Sequence, residues 1–156
     1  MTGPMSALPA RAGGHAETRF RIFLRALAEE IDAVAGANGR DSLLRNAGHR
    51  MARLLPLPAV GSMEALELEM NERLGEIGWG SARLALNEEE RCLLIAHAGL
   101  PRLGAAGDPP GTWFGAVLEG LYEAWMADQP GGDPALVARR HGAEGPDVLT
   151  LRLSRA

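Results

Sequence analysis

Two glutamates, Glu119 and Glu123, stand four residues apart in a stretch of helical period, so they share one helix face. Paired carboxylates are what the acid–base hydrolysis of a glycosidic bond requires. Their face lies beside the apolar stripe of Trp113, Val117, Leu121 and Trp125, which predicts a solvated pair without catalytic duty. His15, His49, His97 and His141 fall in four separate predicted elements, with no paired spacing and no CxxC, so no metal site is expected. His97 reads as a strand residue satisfied by its surroundings. Cys92 sits beside Leu93, Leu94 and Ile95, the setting of a small buried hydrophobe and not of an activated thiolate. All sixteen basic residues are arginine, which excludes Schiff-base chemistry on lysine and the P-loop lysine. Gly75-Glu-Ile-Gly78-Trp-Gly80 has the glycines of a phosphate loop, but a helix precedes it and a strand follows, the reverse of a dinucleotide fingerprint. GxSxG and Walker A patterns are absent. Neither catalytic residues nor a cofactor site are expected.

The aromatic residues remain. Trp79 stands between two glycines at a helix-to-strand junction, while Trp113, Tyr122 and Trp125 share one short helix. At that spacing they read as core or interface anchors more than as a ligand shelf. Thr112 and Trp113 open the helix, where free N–H groups face whatever approaches. Aromatic residues make up only 4% of the chain, too few for a module that grips sugars on a flat row of rings.

These residues need a scaffold. Phe20, Phe23, Leu24, Leu27, Ile31 and Val34 predict a helix from about Glu17 to Ala35, ended by Gly36 and Asn38-Gly39. Asp41 can cap a second helix to about Leu55, with Leu44, Ala47, Met51 and Leu54 inward, stopped by Pro56 and Pro58. Ser62 is the expected N-cap of a third, running to about Gly75 with Glu64 in its first turn. Strand patterns follow over Ile77–Leu86 and Arg91–Ala98, joined by the polar turn Asn87–Glu90. Gly99–Gly111 is loop chemistry, and Thr112 caps a helix to about Ala127. A last hairpin spans about Ala135–His141 and Asp147–Leu153. The expected fold is α+β: N-terminal helices, then two hairpins joined through a helix into one antiparallel sheet with helices packed on it.

At 156 residues and 46% hydrophobic, the chain suits one domain, residues 17–156, behind a flexible Ala, Gly and Pro-rich arm, residues 1–16. The first apolar stretch, Phe20–Ala28, is interrupted by Arg21 and Arg25 and so lacks the unbroken run a secretion signal needs, and no stretch approaches a membrane span. With a single cysteine as well, a cytoplasmic location is expected, with the periplasm as the alternative. The net charge of −4 argues against nucleic-acid binding. Residues 1–61 carry eight arginines and five acids, a net of +3, whereas residues 62–90 carry eight acids and two arginines, a net of −6. That asymmetry suits self-association, although neighbouring solvated helix faces would give the same pattern.

Two stretches carry a resemblance. Gly75-Glu76-Ile77-Gly78-Trp79-Gly80 with its following Leu-rich strand is one, and Gly111-Thr112-Trp113-Phe114-Gly115-Ala116-Val117-Leu118-Glu119-Gly120-Leu121-Tyr122-Glu123-Ala124-Trp125 is the other. Together they resemble the accessory D-subunit family of bacterial cellulose synthase. The opening helix with Leu27, Glu30, Ile31 and Asp32 is similar too, so the likeness runs from about Phe20 to the end. Ala116 departs from it, standing near a proline of the family pattern and leaving a more regular helix start. The resemblance implies a non-catalytic accessory protein, a homo-octamer built from dimers, that organises synthase complexes or guides glucan chains toward crystalline cellulose. It further implies the cellulose synthase complex as partner, with a proline-rich accessory protein and the glucan chain as further candidates. Trp79, Thr112, Trp113, Tyr122 and Trp125 carry over as motif or interface positions. A small adaptor of the same fold, binding an apolar ligand or peptide, is the alternative.

Overall fold

The computed structural model describes the backbone of residues 12–100, 114–143 and 148–156, with side chains from residue 20 onward except that of residue 143. Its elements run α1 (Ala12–Leu54), α2 (Met63–Ile77), β1 (Ser81–Asn87), β2 (Cys92–Ala98), α3 (Phe114–Ala127), β3 (Leu136–Ala143) and β4 (Val148–Arg155). The strands form one antiparallel sheet in the order β1-β2-β4-β3, which confirms the α+β class. The anticipated loop at 99–111 and the helix start at Thr112 and Trp113 lie largely outside the described residues, as does most of the arm.

The two expected opening helices are both present, numbered together as α1, and they part at Gly36 as anticipated, where φ 66° and ψ 178° leave the helical conformation. Glycine alone reaches that conformation without strain, which makes it a hinge between two helical halves. The second half is already helical before Asp41, so Asp41 does not cap it; its carboxylate takes Arg40 and Arg140 instead. Leu54, expected inward, is 79% exposed, while Leu44 and Ala52 are buried.

Ser62 caps α2 as expected, accepting the Ala65 N–H at 3.1 Å. The helix runs on to Ile77, and Gly78 closes it in the left-handed conformation, φ 68°. Consequently the first strand begins at Ser81, not Ile77.

One face of the sheet is the core. Leu84, Ile95 and Leu151 lie side by side across β1, β2 and β4, with Leu93 and Leu153 in the adjoining row. Leu66, Met70 and Leu74 of α2 and Leu118, Leu121, Tyr122 and Trp125 of α3 pack on that face in the same apolar cluster. The distal half of α1 lies across α3 at very close range. A Cβ on Gly48 would come within 2.0 Å of the Val117 carbonyl oxygen, and one on Gly120 within 1.9 Å of the Arg45 carbonyl oxygen. Glycine on both helices at the crossing lets the two backbones touch, which brings the side chains of α1 within reach of the sheet.

Candidate functional site

The IGWG segment is built for backbone contact. Gly80, at φ 79°, lies against the end of β2, where a Cβ would meet the Ala98 carbonyl oxygen at 1.9 Å. Trp79 is half-buried, its ring edge-on to Phe114 at 5.0 Å between centroids. Its carbonyl accepts a hydrogen bond from His97 Nε2 at 2.7 Å. Because a carbonyl can only accept, Nε2 carries the proton, and Nδ1 accepts from the Tyr122 hydroxyl at 2.5 Å. His97 and Tyr122 are fully buried. Burial lowers the His97 pKa to about 4, partly opposed by the bond to Trp79, so the ring is neutral at pH 7. Burial likewise pushes the Tyr122 hydroxyl well above its ordinary range. Trp125 lies edge-on to Tyr122 and donates its indole N–H to the Leu55 carbonyl at 2.8 Å, tying α3 to the end of α1.

Trp79, Tyr122 and Trp125 are thus joined around His97 inside the domain. Thr112 and Trp113 lie outside the described residues. Cys92 is buried.

The glutamate pair departs furthest from the sequence expectation. Glu119 and Glu123 are not solvated: their side chains are 7% and 12% exposed. Glu119 Oε1 accepts the Arg140 backbone N–H at 2.9 Å, and Glu123 Oε1 accepts that of Ala138 at 2.8 Å. Two carboxylates one helical turn apart therefore match two N–H groups two residues apart on the free edge of β3. Arg45 of α1 neutralises both, with Nη2 2.7 Å from Glu119 Oε2 and Nη1 on Glu123 Oε1, and donates to the Ala138 carbonyl at 3.1 Å. Arg140 Nε adds to Glu119 at 3.1 Å, and His49 Nε2 to Glu123 Oε2 at 3.0 Å. Burial lowers the Arg140 pKa, but the negative charge of Glu119 and the contacts with Asp41 outweigh it, leaving the pKa raised. Every carboxylate oxygen of the pair accepts at least one hydrogen bond, an arrangement that anchors a sheet edge.

The opposite edge is sealed by the same means. Asn71 of α2 donates to the Ala82 carbonyl at 2.9 Å and accepts the Ala82 N–H at 2.7 Å, as a neighbouring strand would. Glu67 accepts the Leu84 N–H at 2.8 Å. The sequence shows the Glu119–Glu123 spacing but not its partners, because Arg45 and Arg140 come from segments on either side of it in the chain. Asn71 offers no signal at all, since nothing distinguishes it from any surface asparagine.

The proximal half of α1 carries exposed apolar side chains: Phe20, Ile22 and Phe23 are more than 60% exposed and Val34 is 77% exposed. Among the described residues no cluster of three or more His, Cys, Asp or Glu side chains could hold a metal ion, and no helix is long and apolar enough to cross a membrane.

These features define a small α+β domain whose polar and aromatic side chains fasten helices to both edges of a sheet while one long helix presents an uncovered apolar face. Known proteins make the class specific. The family of cellulose synthase D subunits matches residues 6–154. The chain is 45% identical over 117 residues to a cellulose synthase operon protein D of Komagataeibacter xylinus, and 44% identical over 117 residues to that of Komagataeibacter sucrofermentans. Each match spans 75% of this chain and 75% of the relative. The chain belongs to the cellulose synthase D-subunit family, a membership that supports a role in cellulose synthesis. Its fold is shared with a vinyl-4-reductase family protein from Methanocaldococcus jannaschii, at a TM-score of 0.51 and 12% identity over 97% of this chain and 84% of the other. That likeness concerns the fold alone.

Proposed function

We propose that this chain is a non-catalytic accessory protein of bacterial cellulose synthesis, a homo-oligomeric scaffold that organises synthase complexes or guides glucan chains as they assemble into crystalline cellulose. The observation that carries the reading is the apolar face of the proximal half of α1. Phe20, Phe23, Leu24, Leu27 and Val34 lie open along one side of a helix that passes beyond the core, and an apolar surface of that kind is buried by association. A second copy supplies the matching helix in a symmetric contact. The non-catalytic assignment is supported by Glu119 and Glu123, the acid pair spaced for hydrolysis, whose oxygens are taken up by Arg45, Arg140, His49 and the β3 backbone. The octameric state, contact with a proline-rich accessory protein or with glucan, and a cytoplasmic site of action belong to the same proposal. The single, buried Cys92 suits that compartment, since it leaves no disulfide within the chain for an oxidising one to form.

Light scattering on the purified chain tests the reading first. A mass several times that of the monomer is expected, and a monomer at micromolar concentration would overturn it. In a cellulose-producing strain lacking its own operon protein D, the wild-type chain should restore ordered cellulose, and Phe20→Glu combined with Phe23→Glu should not. Equal restoration by both would remove assembly from the function.

A further inference from the structure

The charge asymmetry of the sequence becomes two surfaces in the fold. An open groove of about 380 Å³ lies between the end of α1 and the last turn of α3, lined by Asn46, His49, Arg50, Arg53, Ala124 and Asp128. Whereas Arg40, Arg45 and Arg140 are held in ion pairs, Arg50 and Arg53 are exposed and make none among the described residues. Beside them Leu54 is 79% exposed. Arg53, in the last turn, complements the helix end, but Arg50 lies one turn earlier and has no such duty. The counterpart lies on α2, which carries five glutamates and one arginine. Its outward ridge runs Glu64, Leu68, Glu72 at i, i+4, i+8, with both glutamates exposed and Leu68 64% exposed. Neither Glu64 nor Glu72 makes an ion pair among the described residues. Each surface therefore sets an exposed leucine beside two like charges that make no ion pair among the described residues, positive in the groove, where Asp128 offsets part of the excess, and negative on the ridge.

We infer that the Glu64–Leu68–Glu72 ridge of one copy docks in the Arg50–Arg53 groove of the next. This rests on the oligomeric scaffold proposed above and supplies a second, different contact between its copies. The α1 face can pair with its own kind across a twofold axis, but ridge and groove are two distinct patches, so they join copies head to tail. Head-to-tail contacts propagate into a ring or a filament. Combined with pairing through α1, they carry assembly beyond a dimer. Exposed charges at such a contact steer association and fix its register, while the leucines contribute the buried apolar area.

The test is a charge swap on the full-length chain. Arg50→Glu with Arg53→Glu, and separately Glu64→Arg with Glu72→Arg, should each lower the mass measured by light scattering by at least about twofold, toward a dimer held by α1. All four positions are exposed, so an unchanged circular dichroism spectrum and melting midpoint show that each variant is folded. Mixing the two variants, or combining all four substitutions in one chain, restores opposite signs and should restore the large species. High salt should weaken the wild-type assembly. A wild-type oligomer whose mass neither double variant lowers would overturn this inference while leaving the scaffold intact. Loss of mass without rescue on mixing would overturn the assignment of α2 as the occupant. A wild-type monomer would remove the scaffold reading and this contact together.

Discussion

His97 and Arg45 show how much of this domain depends on single buried polar side chains. The imidazole must be neutral to accept from Tyr122 and donate to Trp79, and burial lowers its pKa from 6.5 to about 4. The unfolded chain therefore binds a proton that the folded chain refuses between those two values. Stability from this group is complete above about pH 6.5 and is lost as pH falls toward 4, to a total of about 3 kcal/mol. Urea unfolding of wild type and His97→Gln at several pH values should reveal the difference: the wild type falls more steeply across that window. Parallel curves would show that the ring is not held neutral. Arg45 sits between two carboxylates that already serve the backbone of β3. Arg45→Ala would leave them buried without their shared cation and should cost about 3 kcal/mol in unfolding free energy. Arg45→Lys should recover little of this, because a point charge cannot reach both glutamates and the Ala138 carbonyl together.

Between elements, the decisive contacts are made by backbone. The crossing of α1 and α3 works because Gly48 and Gly120 have no Cβ, and alanine at either position would place a carbon about 2 Å from a carbonyl oxygen of the other helix. Gly120→Ala should therefore force the helices apart and cost about 3 kcal/mol or more, read as a lowered melting temperature. Gly75→Ala, which has open space around it, should be nearly neutral and serves as the control. The sheet edges depend on backbone groups in the same way. Asn71 presents its amide to Ala82 in place of a further strand, so Asn71→Leu leaves an N–H and a carbonyl of β1 unpaired. That should cost about 2 kcal/mol and make the edge available for strand addition, seen as aggregation at concentrations where wild type stays clear.

For the whole molecule, stability and assembly are assigned to different parts. The core comprises the sheet, α2, α3 and the distal part of α1, whereas Phe20, Phe23 and Val34 stand outside it beyond the bend at Gly36. Phe20→Glu with Phe23→Glu should accordingly lower the mass in solution while leaving the urea midpoint of the dilute protein almost unchanged. A parallel loss of both would place those residues in the core. Polar substitutions on an exposed helix face are otherwise nearly neutral, so any change in mass reports on association alone.

Much of this architecture is legible in the sequence because it depends on local periodicity and on short-range chemistry. The period of α2 and α3, the Ser62 cap, the polar turn before Cys92 and the alternation in the strands all follow from residues close together in the chain. The family resemblance rests on the same local material, in IGWG and VLEGLY. The break at Gly36 is legible too, but the start of the second helical half before Asp41 escapes a local reading, because Arg140, which takes that carboxylate, arrives only on folding. The burial of Glu119 and Glu123 escapes it for a related reason. Their partners, Arg45 and Arg140, arrive from 74 and 21 residues away, and the edge they cap exists only once β3 has paired with β4. Local sequence determined which segments would be helix or strand and which faces would be apolar. Tertiary structure decided which charges would be neutralised, which apolar faces would stay open, and where two helices could touch, because each of those outcomes requires groups that only folding brings within a few ångströms.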